Sequence, residues 1–581
     1  MTDQRNLILA VAISIAIVLG FQYFYEVPRV QQLADQQAEQ QALEPAPVPG
    51  AEAPLPSDVP APPGTPVTPV TSTAVAAASR DAVLAEAPRV RIESPRLHGS
   101  VTLTGGRIDD LTLADYRETT DPESPEITLL SPAGAARAYY AEFGWVPAES
   151  GTVVPVAATE WRADRGTLAP GEPVTLSWDN GAGLRFTRRI ALDENYMFTV
   201  TQAVKNSGVA PVTLYPYGLI SRSETPETLG FYILHEGLLG VFDGTLLEID
   251  YDDLQEDGKQ NVSSTGGWIG ITDKYWLMAL LPDQSDPFNG RFFHTLRDGI
   301  DKYQVDFQRG AVVVPAGGTA EVTDRLFAGA KEVHLLDAYE EALGIVRFDL
   351  AIDWGWFYFL TRPIFIGLDL FNQWLGNFGL AILLLTVIIK ALFFPLANKS
   401  YKAMSKMKKL QPKMTELRER YGDDKARMQK EIMLLYKAEK VNPMSGCLPI
   451  VVQIPVFFAL YKVLFVTIEM RHTPFYGWIK DLSAPDPTSL VNLFGLLPFD
   501  SPEFLAIGVW PLIMGLTMLL QQRLNPQPAD PMQAKIMMAL PIVFTFIFAR
   551  FPAGLVIYWV WNNVLSIAQQ WIIMRKMGVP A

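Results

Sequence analysis

The chain has 581 residues, 49% of them hydrophobic, and a formal net charge of −14 that is unevenly spread: residues 1–345 carry 24 Lys+Arg against 47 Asp+Glu, the remainder 24 against 15. The acidic first half excludes nucleic-acid binding there, and the split points to two compartments. One cysteine (Cys447), five scattered histidines, no phosphate-binding glycine loop and no nucleophile elbow argue against a disulfide framework, a metal site, a cofactor or an enzyme.

Leu7 to Phe24 is apolar, follows Arg5 and lacks a small-x-small cleavage site. Residues 1–27 therefore read as an uncleaved transmembrane anchor with its N-terminus in the cytoplasm. Residues 28–88 are rich in Gln, Ala, Pro and Thr and predict a disordered tether, because they hold too little bulky apolar surface to offset the entropy of ordering. Residues 89–345 alternate in short runs between turn signals, for example Ser100–Leu103, Val174–Trp178, Leu184–Ile190, Met197–Val204 and Val312–Val314. They predict a large β-sandwich outside the cytoplasm, with one helix, Val333 to Leu343, at its end. Residues 346–376 mix Trp354, Phe357, Tyr358 and Phe359 with Arg362-Pro363, which suits an amphipathic helix lying in the outer membrane interface.

Residues 377–581 predict a core of five spans. The first, Gly379 to Leu396, holds a single charge, Lys390, and leads into Lys399, Lys402 and Lys406, so that end faces the cytoplasm. A lysine near a helix centre costs about 2.5–3.5 kcal/mol on insertion scales. It is either a lysine that snorkels to the surface or part of a membrane-embedded site open to the cytoplasm. Residues 398–445 predict a basic cytoplasmic helical hairpin. Met404, Met407, Leu410 and Met414 recur at helical spacing, and Gly422-Asp423-Asp424 breaks the pattern. Its Lys406, Lys408, Lys409 and Lys413 either mark topology or attract anionic lipids, a ribosome or an acidic client segment. Leu448–Ile468, Phe504–Leu520, Ile536–Phe551 and Leu555–Ile573 complete the spans, giving N-in, C-in topology. Thr386 and Lys390 share a helix face, and Gln453, Asn562 and Asn563 are further polar residues within the spans. Such groups are either glue between helices or the lining of a wet cavity. No acidic residue lies in these five spans, so a partner for Lys390 has to come from elsewhere, such as an acidic client polypeptide. A solute transporter would predict inverted repeats, and a periplasmic ligand receptor with a plain anchor would predict no intramembrane charge.

The segments KALFFPL (390–396), KMKKLQPKM (406–414), LYKAEKVNPMSGCLPIVVQIPVFFALY (435–461), DPMQAKIMMALPIVF (530–544) and FPAGLVIYWVWNNVLSIAQQ (551–570) resemble the YidC/Oxa1/Alb3 membrane-protein insertase family. TGGWIGITDKYW (265–276) resembles the extracytoplasmic domain of its long Gram-negative form. The resemblance implies a bacterial inner-membrane insertase and chaperone: an N-terminal anchor, a supersandwich-like β-domain in the periplasm, and a five-helix core around a hydrophilic groove. Newly made membrane proteins are the implied clients, taken alone or with the Sec translocon and its accessory subunits, from a ribosome, without sequence-specific nucleic acid. The implied groove residues are Lys390, Thr386, Gln453, Tyr558, Trp559 and Asn562. Lys390 stands where the family usually has arginine, and Trp559 where many members have a second tyrosine. An apolar client segment would slide past Phe457, Phe458, Met538 and Phe544 into lipid.

Overall fold

The computed structural model describes residues 78–228, 230, 234–355, 357–421, 424–439, 441, 448–492, 506–525 and 531–578. The predicted anchor, most of the predicted tether, the Gly422-Asp423 tip of the hairpin, its Asn442-Pro443 exit and Cys447 lie outside the described residues. The tether reading extends too far at its C-terminal end. Helix α1 (Arg80–Glu86) forms there, its N-terminus capped by Ser79 and its Arg80 paired with Asp110. A serine cap and Asp81 in the first turn favour the helix, and the Arg80–Asp110 pair holds it to the sandwich.

Strands between Arg89 and Ala330 build the β-sandwich as two sheets, of eleven and nine described strands. Pairing is antiparallel almost throughout, as in Met197–Asn206, which runs beside Leu184–Leu192 on one side and Thr319–Ala330 on the other. Leu184, Phe186, Ile190 and Leu192 alternate inward along their strand. Arg188 takes an inward position as well, and its guanidinium crosses to the Gly106 carbonyl of the other sheet at 2.7 Å while lying 4.9 Å from the Trp161 ring. Helix α2 (Tyr251–Asp257) covers a sheet end, and α3 (Val333–Leu343) leaves the last strand.

Helix α4 (Tyr358–Leu375) buries Thr361, Ile364, Phe365 and Leu368 and exposes Phe359, Ile366, Leu370 and Trp374 on its other face. Apolar side chains stand on both faces, whereas an amphipathic interfacial helix keeps one of them polar. Arg362 fixes its first turns by donating to Asp337 of α3 at 2.7 Å and to Asp349 at 3.0 Å.

The predicted span Gly379–Leu396 is broken. Helix α5 (Phe378–Leu392) stops at Phe393, and α6 (Phe394–Tyr421) departs at 70°. Pro395 has no N–H to give to a continuing helix and disfavours helical backbone before it, but it is well placed in a first turn. Helix α6 returns against α7 (Lys425–Ala438) as the predicted hairpin, burying Met404, Met407, Leu410 and Met414. The remaining helices are α8 (Leu448–Val466), α9 (Val509–Leu524), α10 (Pro531–Phe548) and α11 (Ala553–Lys576). Among the described residues no single helix is long and apolar enough to cross a membrane; the bent pair α5–α6 meets length and composition together.

A polar junction joins the sandwich to the helical core at the far end of α8. Lys462 of α8 donates to Asp353 at 2.6 Å, and the same carboxylate oxygen accepts the His235 N–H of the sandwich at 3.0 Å. The Lys274 ammonium, from the TDKYW turn, lies 3.9 Å from the centre of the Phe465 ring. Arg471 donates to the Arg117 carbonyl at 2.6 Å. Glu469, just beyond α8, accepts the Val333 N–H at the start of α3 at 2.8 Å, while its other carboxylate oxygen is buried with no partner among the described residues. Burial, with Glu332 nearby, pushes the Glu469 carboxyl up to about 7.

Candidate functional site: a polar cavity around Lys390

Lys390 occupies the last turn of α5, just before the break. Its ammonium donates to the Ser566 hydroxyl of α11 at 2.7 Å and, at 3.5 Å, to the Gln453 side-chain oxygen of α8. Gln453 passes the chain on, its Nε2 donating to the Tyr558 hydroxyl at 3.1 Å. Among the described residues no carboxylate takes part in this network. Thr386, one turn before Lys390, is buried and donates back to the Ile382 carbonyl at 2.6 Å. It shapes the wall while its hydrogen-bonding capacity is spent inside its own helix.

Thr386, Lys390, Gln453, Tyr558 and Asn562 line one open cavity, together with Tyr401 from α6.

The cavity does not include Trp559. That side chain faces the other way, its ring 4.8 Å from Phe457 and 5.2 Å from Phe548, and so ties α11 to α8 and α10. The four residues expected along a client path divide. Phe458 and Met538 are exposed on the outer surface. Phe457 and Phe544 belong to the aromatic cluster, Phe544 through Phe548 at 5.9 Å. Of the hairpin lysines, Lys406 is exposed, but the other three have partners. Lys408 donates to the Arg523 carbonyl near the end of α9 at 3.5 Å, Lys409 to the Met577 carbonyl after α11 at 2.7 Å, and Lys413 pairs with Glu439 at 2.8 Å. Carbonyls at helix C-termini carry partial negative charge, so the first two contacts clasp the hairpin across two helix ends.

Two polar residues at the site escape sequence reasoning, one behind the cavity wall and one in it. Ser566 holds the Lys390 ammonium, and Tyr401 joins the wall from α6. The signal for Ser566 is its spacing: Tyr558, Asn562 and Ser566 succeed each other every four residues on one face of α11. Tyr401 sits in the same stripe as Met404 and has no mark of its own.

Two family models match: "YidC periplasmic domain" over residues 89–366 and "60Kd inner membrane protein" over residues 370–579. The chain is 52% identical over 602 residues to "Membrane protein insertase YidC" of Methylobacterium radiotolerans, covering 99% of this chain and 96% of that one. It is 53% identical over 601 residues to the protein of that name from Bradyrhizobium diazoefficiens, covering 100% and 97%. The solved structure titled "Active YidC insertase crystal structure with the first transmembrane domain resolved" is similar at 18% identity and a TM-score of 0.36, over 83% of this chain and 93% of that chain, too low a score to carry an argument.

Proposed function

The chain belongs to the YidC family of membrane protein insertases, and on that premise we propose that it brings proteins into the inner membrane by holding a short polar segment of the client at Lys390. The observation that carries this reading is a half-buried cation at a cavity wall whose partners among the described residues are a hydroxyl and an amide, with no carboxylate. Such a cation is costly in a membrane unless an anion or water meets it. An acidic or polar client tail is the anion-bearing partner that arrives and leaves. Lysine keeps the charge of the family's usual arginine without its planar fork, so the grip is that of a point charge and not a bidentate clamp.

The free energy for transfer comes from the client. Each buried CH₂ contributes about 0.8 kcal/mol, so a span of some 20 apolar residues outweighs the roughly 3 kcal/mol cost of one charge near mid-membrane. The process needs no covalent step. The apolar part of the client runs along the surface between α8 and α10, where Phe458 and Met538 are exposed. We propose with it that the β-sandwich lies in the periplasm, that the hairpin and both termini lie in the cytoplasm, and that clients are delivered by a ribosome or the Sec translocon past anionic lipid.

A photoreactive residue at Val456, on the cavity wall, should form adducts with the polar tail of a nascent single-span client. Adducts from exposed Phe458 together with none from Val456 would contradict the proposal.

A further inference from the structure

The polar side chains at and just behind the cavity wall mostly have their bonds assigned. The Gln453 amide serves Tyr558 and Lys390, and the Thr386 hydroxyl serves Ile382. The Ser566 hydroxyl accepts from Lys390 and donates to the backbone carbonyl of Asn562. Asn562 is different. Its side chain lines the cavity, the residue is 7% exposed, and its carboxamide oxygen is buried with no partner among the described residues. An unmet buried amide costs about 1–3 kcal/mol, and such a group in a native fold calls for an explanation. Lys390 has the converse surplus. An ammonium has three donors, and two are accounted for, one of them at the 3.5 Å limit.

We propose that the Asn562 carboxamide turns its buried oxygen to the cavity side and that Asn562 and Lys390 together bind a backbone peptide unit of the client, the Asn562 oxygen accepting an N–H and the Lys390 ammonium donating to a C=O. This rests on the reading of the cavity as the client site and names the form of substrate it takes: an extended polypeptide segment whose backbone is not yet paired. The spacing suits it. Ser566, which holds the ammonium, lies one helical turn from Asn562, about 5 Å along the axis. An extended chain presents the N–H and C=O of one residue along the same edge, as it does to a neighbouring strand. The chemistry suits it as well. Unpaired peptide groups cost several kcal/mol each in hydrocarbon, whereas a helical segment has satisfied its own and gains nothing from the pair. A donor and an acceptor aimed at the backbone recognise a tail without reading its sequence, which charge attraction alone does not do.

The test uses the full chain in proteoliposomes and a single-span client with a short N-terminal tail. The tail is made with ordinary amides or with one backbone ester, which replaces an N–H by oxygen, scanned along its residues. In the parent, an ester at the residue held in the cavity should lower insertion roughly two- to tenfold, the worth of one net hydrogen bond. Asn562→Val and Asn562→Ala should insert amide and ester clients equally, at a reduced level, while Asn562→Gln should restore part of the difference. Equal insertion of all ester and amide clients by the parent overturns the proposal. An ester effect that persists in both apolar variants overturns the assignment to Asn562. The charge reading is scored separately, by acidic against neutral tails in the parent: if that preference is absent while the ester effect is present, attraction by Lys390 fails and the peptide pairing stands.

Discussion

Glu469 makes the attachment of the β-sandwich to the helical core depend on pH. Its carboxyl, held at about 7 by burial against an ordinary 4.5, binds a proton more tightly when α3 is docked than when it is released. A raised carboxyl contributes stability that is complete below its ordinary value and lost as pH rises through its docked value. At about 1.4 kcal/mol for each tenfold step in proton affinity, docking weakens by roughly 2–3 kcal/mol between pH 5 and pH 8. Lys274, pulled down to about 8 by burial at the same junction, stays charged through most of that range and titrates only at its upper end. The groups facing Glu469 are Glu332, already bonded by Tyr116 and Arg96, and His334, which bonds Asp369 of α4 at 2.9 Å. His334→Asn in every background removes its contribution. Hydrogen exchange of the α3 amides, corrected for intrinsic rate, should show protection falling by one to two orders of magnitude from pH 5 to pH 8. Glu469→Gln, which keeps an oxygen for the Val333 N–H, should be nearly flat. Protection that is constant or rises with pH in the parent, or an equal slope in Glu469→Gln, would refute the reasoning.

The junction and the hairpin give three further expectations. Asp353→Ala takes one partner from the ammonium of Lys462 and should cost about 1.5–3 kcal/mol of stability, read as a lower unfolding midpoint in detergent; deleting residues 31–339 keeps Asp353 and should leave insertion largely intact, whereas extending the deletion through Asp353 should not. Lys408→Gln with Lys409→Gln should raise amide exchange in α6 severalfold and more so at low salt, because the two helix-end contacts are exposed and screened, while Lys406→Gln should leave it unchanged.

Much of this was legible in the sequence because single-residue signals carried it. Val312–Val314 and Val333–Leu343 form where their patterns place them. The polar groups Lys390, Thr386, Gln453 and Asn562 stood out against apolar runs, and one cavity gathers them. What was not legible depends on tertiary partners. Nothing local shows that Lys462 meets Asp353, 109 positions away, or that Glu469 meets Val333, 136 positions away. Trp559 is adjacent in sequence to Tyr558 but faces the aromatic cluster of α8 and α10, because neighbouring helical residues point about 100° apart. The break after α5 was hidden because Phe393 and Phe394 extend the apolar run across it, and only the backbone geometry imposed by Pro395 interrupts the helix.

The central claim is that the charge at position 390 selects the client tail. The measurement that tests it most directly is a charge exchange: insertion into proteoliposomes of one client carrying Asp or Lys at the same tail position, by the parent and by Lys390→Glu. An ion pair at about 4 Å in an effective dielectric near 20 is worth about 4 kcal/mol before desolvation, enough for a preference of about tenfold or more. The account predicts that the parent prefers the Asp tail, that Lys390→Glu prefers the Lys tail, and that Lys390→Arg behaves as the parent. The same ratio of Asp-tail to Lys-tail insertion by the parent and by Lys390→Glu would contradict it.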